Sequence, residues 1–187
     1  MSLINVFSNF TRVFTKKTVA DKTTTKVVSS YLKVIYPLIN VSKRAKGKYR
    51  FEELQDFSLR KMELSDTELA IETAVAIKNL NQDYVIKPLR NGDFIISRSG
   101  ARAIVSVKTL AESIFHKAAD GLTRDHIDDL VAKKNRFKCD AAIMVSIPNT
   151  TVELQFYSKV NDVFGISSFD LMELLNTGDI KRQLLAA

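Results

Sequence analysis

Two short runs of strand-favouring residues, at 94–97 (Phe-Ile-Ile-Ser) and 103–107 (Ala-Ile-Val-Ser-Val), stand on either side of a turn at 98–102 that contains Gly100. Apolar, β-branched segments around a residue able to take positive φ are a hairpin signal. This stretch constrains the fold most, because a hairpin in the middle of a chain commits the molecule to a sheet that other elements must cover. It also carries chemistry. Asp93 opens the first strand and Lys108 closes the second, so antiparallel pairing brings an acid and an ammonium to the same end.

The elements around the hairpin are mainly helical. Ser65-Asp66-Thr67-Glu68 reads as a capping box, with Ser65 and Glu68 satisfying each other's backbone donors at a helix start. Leu69, Ala70, Val75, Ala76, Ile77 and Leu80 continue that helix to about Asn81. Glu68 then has a structural role. Glu72, one turn on and with Ala at position 76, has no basic residue at the i+4 position and is the more interesting carboxylate. Residues 84–89 read as a strand in which Pro88 marks either a sheet edge or the strand's end. Beyond the hairpin, a helical segment is expected over 109–120, and Thr123 is the expected N-cap of a helix over 124–136. Lys133, Lys134 and Arg136 fall in that helix's last turn, where cations suit the helix dipole. The uninterrupted apolar run 141–147 reads as a buried strand. A turn at Pro148-Asn149 and an alternating strand over 151–157 follow. A repeated capping pattern at Ser167–Asp170 then precedes a last helix over 169–176 closed by Gly178, with the tail 179–187 open to a further short helix.

Upstream, residues 3–14 place Leu3, Ile4, Val6, Phe7, Phe10, Val13 and Phe14 at helical spacing. This amphipathic helix is expected to dock on a partner chain, on another copy or on its own domain. Residues 18–26 read as a linker or weak strand. A helix from Val27 is expected to stop near Tyr36, because Pro37 follows. The basic stretch Lys43, Arg44, Lys46, Lys48 and Arg50 comes next, with Tyr49 and Phe51 alongside. It offers a nucleic-acid-binding loop with aromatic stacking, or else a solvated linker. A short helix over 51–59 completes this part. The expected organisation is a mostly helical N-terminal extension, residues 1–62, followed by an α/β domain, residues 63–187, with a mixed central sheet flanked by helices.

Composition narrows the function class. Lys and Arg number 28 against 21 Asp and Glu, a formal charge of +7. That balance suits DNA or another polyanion, and equally suits simple solubility. The single cysteine, Cys139, excludes a disulfide framework and fits a reducing intracellular, cytoplasmic setting. No apolar run approaches the ~20 residues that span a bilayer. His116 and His126 have no cysteine or further histidine to complete a zinc site. There is no phosphate-binding glycine loop of the GxxxxGK[ST] type and no serine nucleophile elbow.

A helix bearing Glu72, a strand opening on Asp93 and a strand ending in Val105-Ser106-Val107-Lys108 together resemble the PD-(D/E)XK nuclease superfamily, which includes restriction endonucleases and archaeal Holliday-junction resolvases. The resemblance covers residues 66–158 and rests on element order plus these few residues. It implies a restriction-endonuclease-like core, with Asp93, Glu72 and Lys108 as catalytic residues and Mg²⁺ as cofactor. The implied activity is hydrolysis of phosphodiester bonds in DNA. Carboxylates would hold the ion, and the lysine would position water or stabilise charge on the phosphate. One position departs from the pattern: Ser106 stands where the second acid belongs. Glu112 from the following helix is one replacement. Glu72 and Asp93 with waters are another, and a catalytically degenerate DNA-binding or protein-interaction module is the third outcome. Lys43, Arg44, Lys46, Lys48, Arg50, Lys133, Lys134 and Arg136 are the expected nucleic-acid contacts.

Overall fold

The structure, a computed structural model, describes residues 22–109, 122–147 and 151–186. Its elements are α1 (Lys22–Ala45), α2 (Phe51–Met62), α3 (Asp66–Leu80), β1 (Val85–Pro88), β2 (Asp93–Arg98), β3 (Ala101–Thr109), α4 (Arg124–Arg136), β4 (Ala141–Ile147), α5 (Val152–Val160), β5 (Val163–Ile166) and α6 (Ser168–Ala186). The five strands form one mixed sheet in sequence order. β1, β2 and β3 are an antiparallel meander, and β4 and β5 join parallel to β3.

The hairpin forms as its residues dictate. Ser99 and Gly100 make a two-residue turn with both φ positive, 52° and 78°, which matches the twist of the flanking strands. The register sets Asp93 opposite Ser106 and Phe94 opposite Val105. Strand alternation then sorts the side chains. Phe94, Ile96, Ala103, Val105 and Val107 enter one core with Val34, Ile35, Leu38, Phe57, Leu69, Ile77 and Leu171. α1, α2, α3 and α6 therefore cover that face. Ile95, Ile104, Ala142 and Met144 enter a second core with Ile127 and Leu130, with Leu154 and Tyr157 packed against it. That face belongs to α4 and α5. From α1 onward, the N-terminal helices share a core with the sheet.

Several local expectations hold. The Ser65–Glu68 capping box is present, with Ser65 N–H donating to Glu68 at 2.8 Å. A second reciprocal cap joins Ser167 and Asp170 at the head of α6. Strand β4 is buried throughout. Thr123 caps α4, where His126 Nδ1 accepts the Thr123 N–H at 3.1 Å, so this histidine is a capping residue.

Other expectations are corrected. Residues 22–26 are helical, and α1 runs through Pro37 instead of stopping at Tyr36. The proline deprives the Lys33 carbonyl of its backbone donor four residues on, and Arg98 Nη1 donates to that carbonyl at 2.7 Å. Buried Val34, Ile35, Leu38 and Ile39 hold both sides of the break against the sheet. Residues 152–160 form α5, not a strand. Thr151 Oγ1 caps it by accepting from Leu154 N–H, and Leu154 and Tyr157, three apart, face the core. The short strand β5 lies beyond the expected strand. α6 continues through position 178 instead of ending there. The amphipathic segment 3–14, the expected helix over most of 109–120 and the turn at 148–149 lie outside the described residues.

Candidate functional site

The polar groups of interest gather where β2 begins and β3 ends. Asn91 and Gly92 turn the chain into β2 with φ of 58° and 74°. Gly92 packs so closely on the first turn of α3 that a Cβ there would lie 2.9 Å from the Asp66 carbonyl oxygen. Only glycine allows that approach. It brings the head of α3 and the head of β2 to one corner of the sheet.

Asp93, the first residue of β2, is 6% exposed. By strand alternation it shares the α4-covered face with Ser106, its cross-strand partner, and with Lys108, two residues further along β3. The acid and the lysine do lie at the same end of the hairpin. Each nevertheless has a different ionic partner. Lys133 Nζ, from the last turn of α4, donates to Asp93 Oδ2 at 2.6 Å and to Asp129 Oδ2 at 2.6 Å. Asp93 Oδ1 is buried and has no hydrogen-bond partner among the described residues. Burial works against the Lys133 ammonium, but the hydrogen bonds to Asp129 and Asp93 outweigh it and hold its pKa above the ordinary lysine value.

Lys108 Nζ donates to Asp66 Oδ2 at 2.8 Å. The other Asp66 oxygen accepts the Thr109 N–H at 2.7 Å and the Thr109 hydroxyl at 3.1 Å. The helix α3 carboxylate that serves the lysine is thus Asp66. Glu72 is turned to a different use: it pairs with Lys61 of α2 and is over a third exposed. The basic partner that the i+4 position withheld comes from a neighbouring helix. Glu112 lies outside the described residues, and among those described no group of three or more His, Cys, Asp or Glu side chains is placed to hold a metal ion. Asp93 and Asp129 share one partner, the Lys133 ammonium.

The expected nucleic-acid residues divide. Lys43, Lys46, Arg50 and Arg136 are exposed and Lys134 is half-buried. Arg44 and Lys48 are instead bound to Glu173 of α6, at 3.2 and 2.6 Å, and Lys133 is committed to Asp93. Tyr49 donates its hydroxyl to Glu173 at 2.6 Å. The two basic groups also sit on elements that cover opposite faces of the sheet, α1 with its following loop and α4.

Glu173 is a buried acid that residue spacing does not single out. It is 2% exposed, and burial alone would raise its pKa. Hydrogen bonds from Lys48, Tyr49, Thr177 and Arg44 overcome this and bring it down to about 2. The signal it leaves in the sequence is a lone carboxylate inside the apolar run Leu171-Met172-Glu173-Leu174-Leu175, which needs cations from elsewhere in the chain. Asp66 is hidden by its place inside a capping box, and Asp129 by its ordinary i,i+4 spacing to Lys133.

No helix among the described residues is long and apolar enough to cross a membrane. Comparison of the chain with protein-family models, with curated proteins and with solved structures finds no match.

Proposed function

We propose that the chain is a nucleic-acid-acting protein with a PD-(D/E)XK nuclease-like core, in which the corner between β2 and β3 hydrolyses phosphodiester bonds in DNA with the help of a divalent cation. The observation that carries this reading is Asp93, a carboxylate at the head of β2 with one oxygen buried and unpartnered, at the same strand end as Lys108. Burying such an oxygen without a partner costs about 1–3 kcal/mol, a cost retained most readily where a ligand satisfies it. The order of helix, three-stranded meander, helix and parallel strand is also that of the resembled core.

In this reading Asp93 holds the cation, for which a hard carboxylate oxygen is the fitting donor. When bound, such an ion polarises the phosphodiester and lowers the pKa of the attacking water. Lys108 stabilises negative charge developing on the phosphate, and Asp66 fixes the direction of that ammonium. The acids at this corner would repel a DNA backbone on their own, and Lys43, Lys46 and Arg50 supply an attractive field over the wider surface.

A second reading has its own observation. Lys133 already neutralises Asp93, and Ser106 brings no charge to the position of a second acid. A buried carboxylate that already has its counter-ion suits a degenerate module that binds DNA and does not cut it.

The test is incubation of the full chain with linear, single-stranded and branched DNA in Mg²⁺ or Mn²⁺. The nuclease reading expects cleavage that is lost in Asp93→Ala and Lys108→Ala. DNA left intact in Mn²⁺ after long incubation, but retained by the protein in a salt-sensitive way, favours the second reading. Intact DNA with no binding at low salt removes both.

A further inference from the structure

The Lys133 ammonium sits 2.6 Å from an oxygen of Asp93 and 2.6 Å from an oxygen of Asp129. Both are short ammonium–carboxylate hydrogen bonds, and a cation centred there would draw the two oxygens inward, to about 2.0 Å for Mg²⁺ and at most about 2.6 Å for Ca²⁺. Two carboxylates from different elements, a strand and a helix, therefore converge on one point that carries a positive charge. The second oxygen of the Asp93 carboxylate is buried with no partner among the described residues. Lys133 is freer to move than Asp93. Its side chain is 30% exposed and joined to α4 by a flexible stem, whereas Asp93 is fixed in the sheet at 5%. Asp129 is 60% exposed, so the point has a route to solvent.

We propose that Lys133 is a resident counter-ion: its ammonium marks a divalent-cation site bounded by Asp93 and Asp129, and it swings out when a cation binds. Asp129 then supplies the acid missing at Ser106, from the helix across the sheet face and not from the neighbouring strand. The inference rests on reading Asp93 as a cation ligand. It assigns two further residues to that site, one as ligand and one as competitor. Competition by a tethered ammonium lowers the apparent cation affinity by the fraction of time the point is vacated. The same contact keeps the buried carboxylate neutralised when no cation is present.

The experiment measures Mn²⁺ alone, by calorimetric titration and by the shift in melting temperature, on the full chain. Lys133→Met is expected to bind Mn²⁺ at least about tenfold more tightly than the parent, because the point is then always vacant. It should also melt lower without Mn²⁺ and recover with it, because the ion replaces the lost ammonium. Asp129→Asn on that background should reverse the gain, and Lys133→Arg should bind Mn²⁺ no better than the parent. The proposal is overturned by Lys133→Met binding Mn²⁺ no more tightly, by Asp129→Asn leaving the affinity unchanged, or by a Lys133→Met chain that fails to fold even in Mn²⁺. The nuclease reading fails separately: tighter Mn²⁺ binding with no substrate cut would leave this inference standing and remove that one. Cleavage with unchanged Mn²⁺ affinity would do the opposite.

Discussion

Asp66 holds Lys108 at 2.8 Å with one carboxylate oxygen and the Thr109 N–H at 2.7 Å with the other, so a single helix residue fixes both the ammonium and the backbone at the end of β3. Both partners of the ion pair are largely shielded from solvent, Lys108 at 26% exposure and Asp66 at 30%. Asp66 therefore acts as a positioning residue for the lysine, placed there by the capping box that starts α3 and by the close approach of Gly92.

Asp66→Asn keeps the shape and removes the charge. It should cost about 1–2 kcal/mol of stability, as expected for weakening charge-assisted hydrogen bonds at a partly exposed site, read from the urea midpoint at unchanged slope. On the proposed nuclease reading, the cleavage rate should fall about 10- to 100-fold through misplacement of Lys108, with some activity left where Lys108→Ala has none. Equal rates for Asp66→Asn and the parent would show that Lys108 needs no holding.

Gly92 and Gly100 both have positive φ, 74° and 78°, but only Gly92 has backbone in the way of a Cβ. Gly100→Ala should cost only the conformational penalty of about 1–2 kcal/mol. Gly92→Ala should cost a further ~1–3 kcal/mol, because the Asp66 carbonyl must shift. It should also disturb the Lys108 contact, visible, on the proposed nuclease reading, in a loss of cleavage that Gly100→Ala does not share. Equal destabilisation by the two substitutions would contradict the close packing at this corner.

The hairpin, its turn, the buried strand β4 and the capping boxes are legible in the sequence because each rests on chemistry within a few neighbouring residues. The elements that depart from expectation are those where local patterns compete. Val152, Leu154 and Phe156 alternate as a strand would, yet Leu154 and Tyr157 satisfy helical spacing in the same window, and the Thr151 cap favours the helix. Pro37 argues locally for a helix end, and what overrides it is distant: the Arg98 contact and the packing of Val34, Ile35, Leu38 and Ile39 on the sheet. The site divides in the same way. Asp93 and Lys108 can be paired from the sequence because the hairpin register joins them. Asp66, Asp129 and Lys133 reach the corner through packing of separate helices, which residue spacing does not encode.

Arg98 and Pro37 should be energetically coupled through the Lys33 carbonyl. Pro37→Ala restores a backbone donor to that carbonyl and should stabilise the chain by about 1–3 kcal/mol, given the cost of proline inside a helix. Arg98→Ala should destabilise the parent more than it destabilises the Pro37→Ala chain. The difference should be about 0.5–1 kcal/mol in a double-mutant cycle by chemical denaturation. Strict additivity would mean that the Arg98 contact does not compensate for the proline.

Glu173 makes an acid-sensitive clasp between the loop after α1 and α6. Its folded pKa is lowered to about 2 from an ordinary 4.5, so the carboxylate's contribution to stability is complete above pH 4.5 and disappears as the pH falls through 2. Arg44 and Lys48 are nearly half exposed, and solvent screens their side of the contact. Glu173→Gln should therefore cost about 1–2 kcal/mol near neutral pH, the range for hydrogen bonds to a charged group discounted for that screening. Urea midpoints of parent and variant should converge as pH is lowered from 5 toward 2, because the parent then protonates the same carboxyl. A gap that stays constant across that range would mean that the amide loses shape complementarity and not charge, and would remove the ionic account of the clasp.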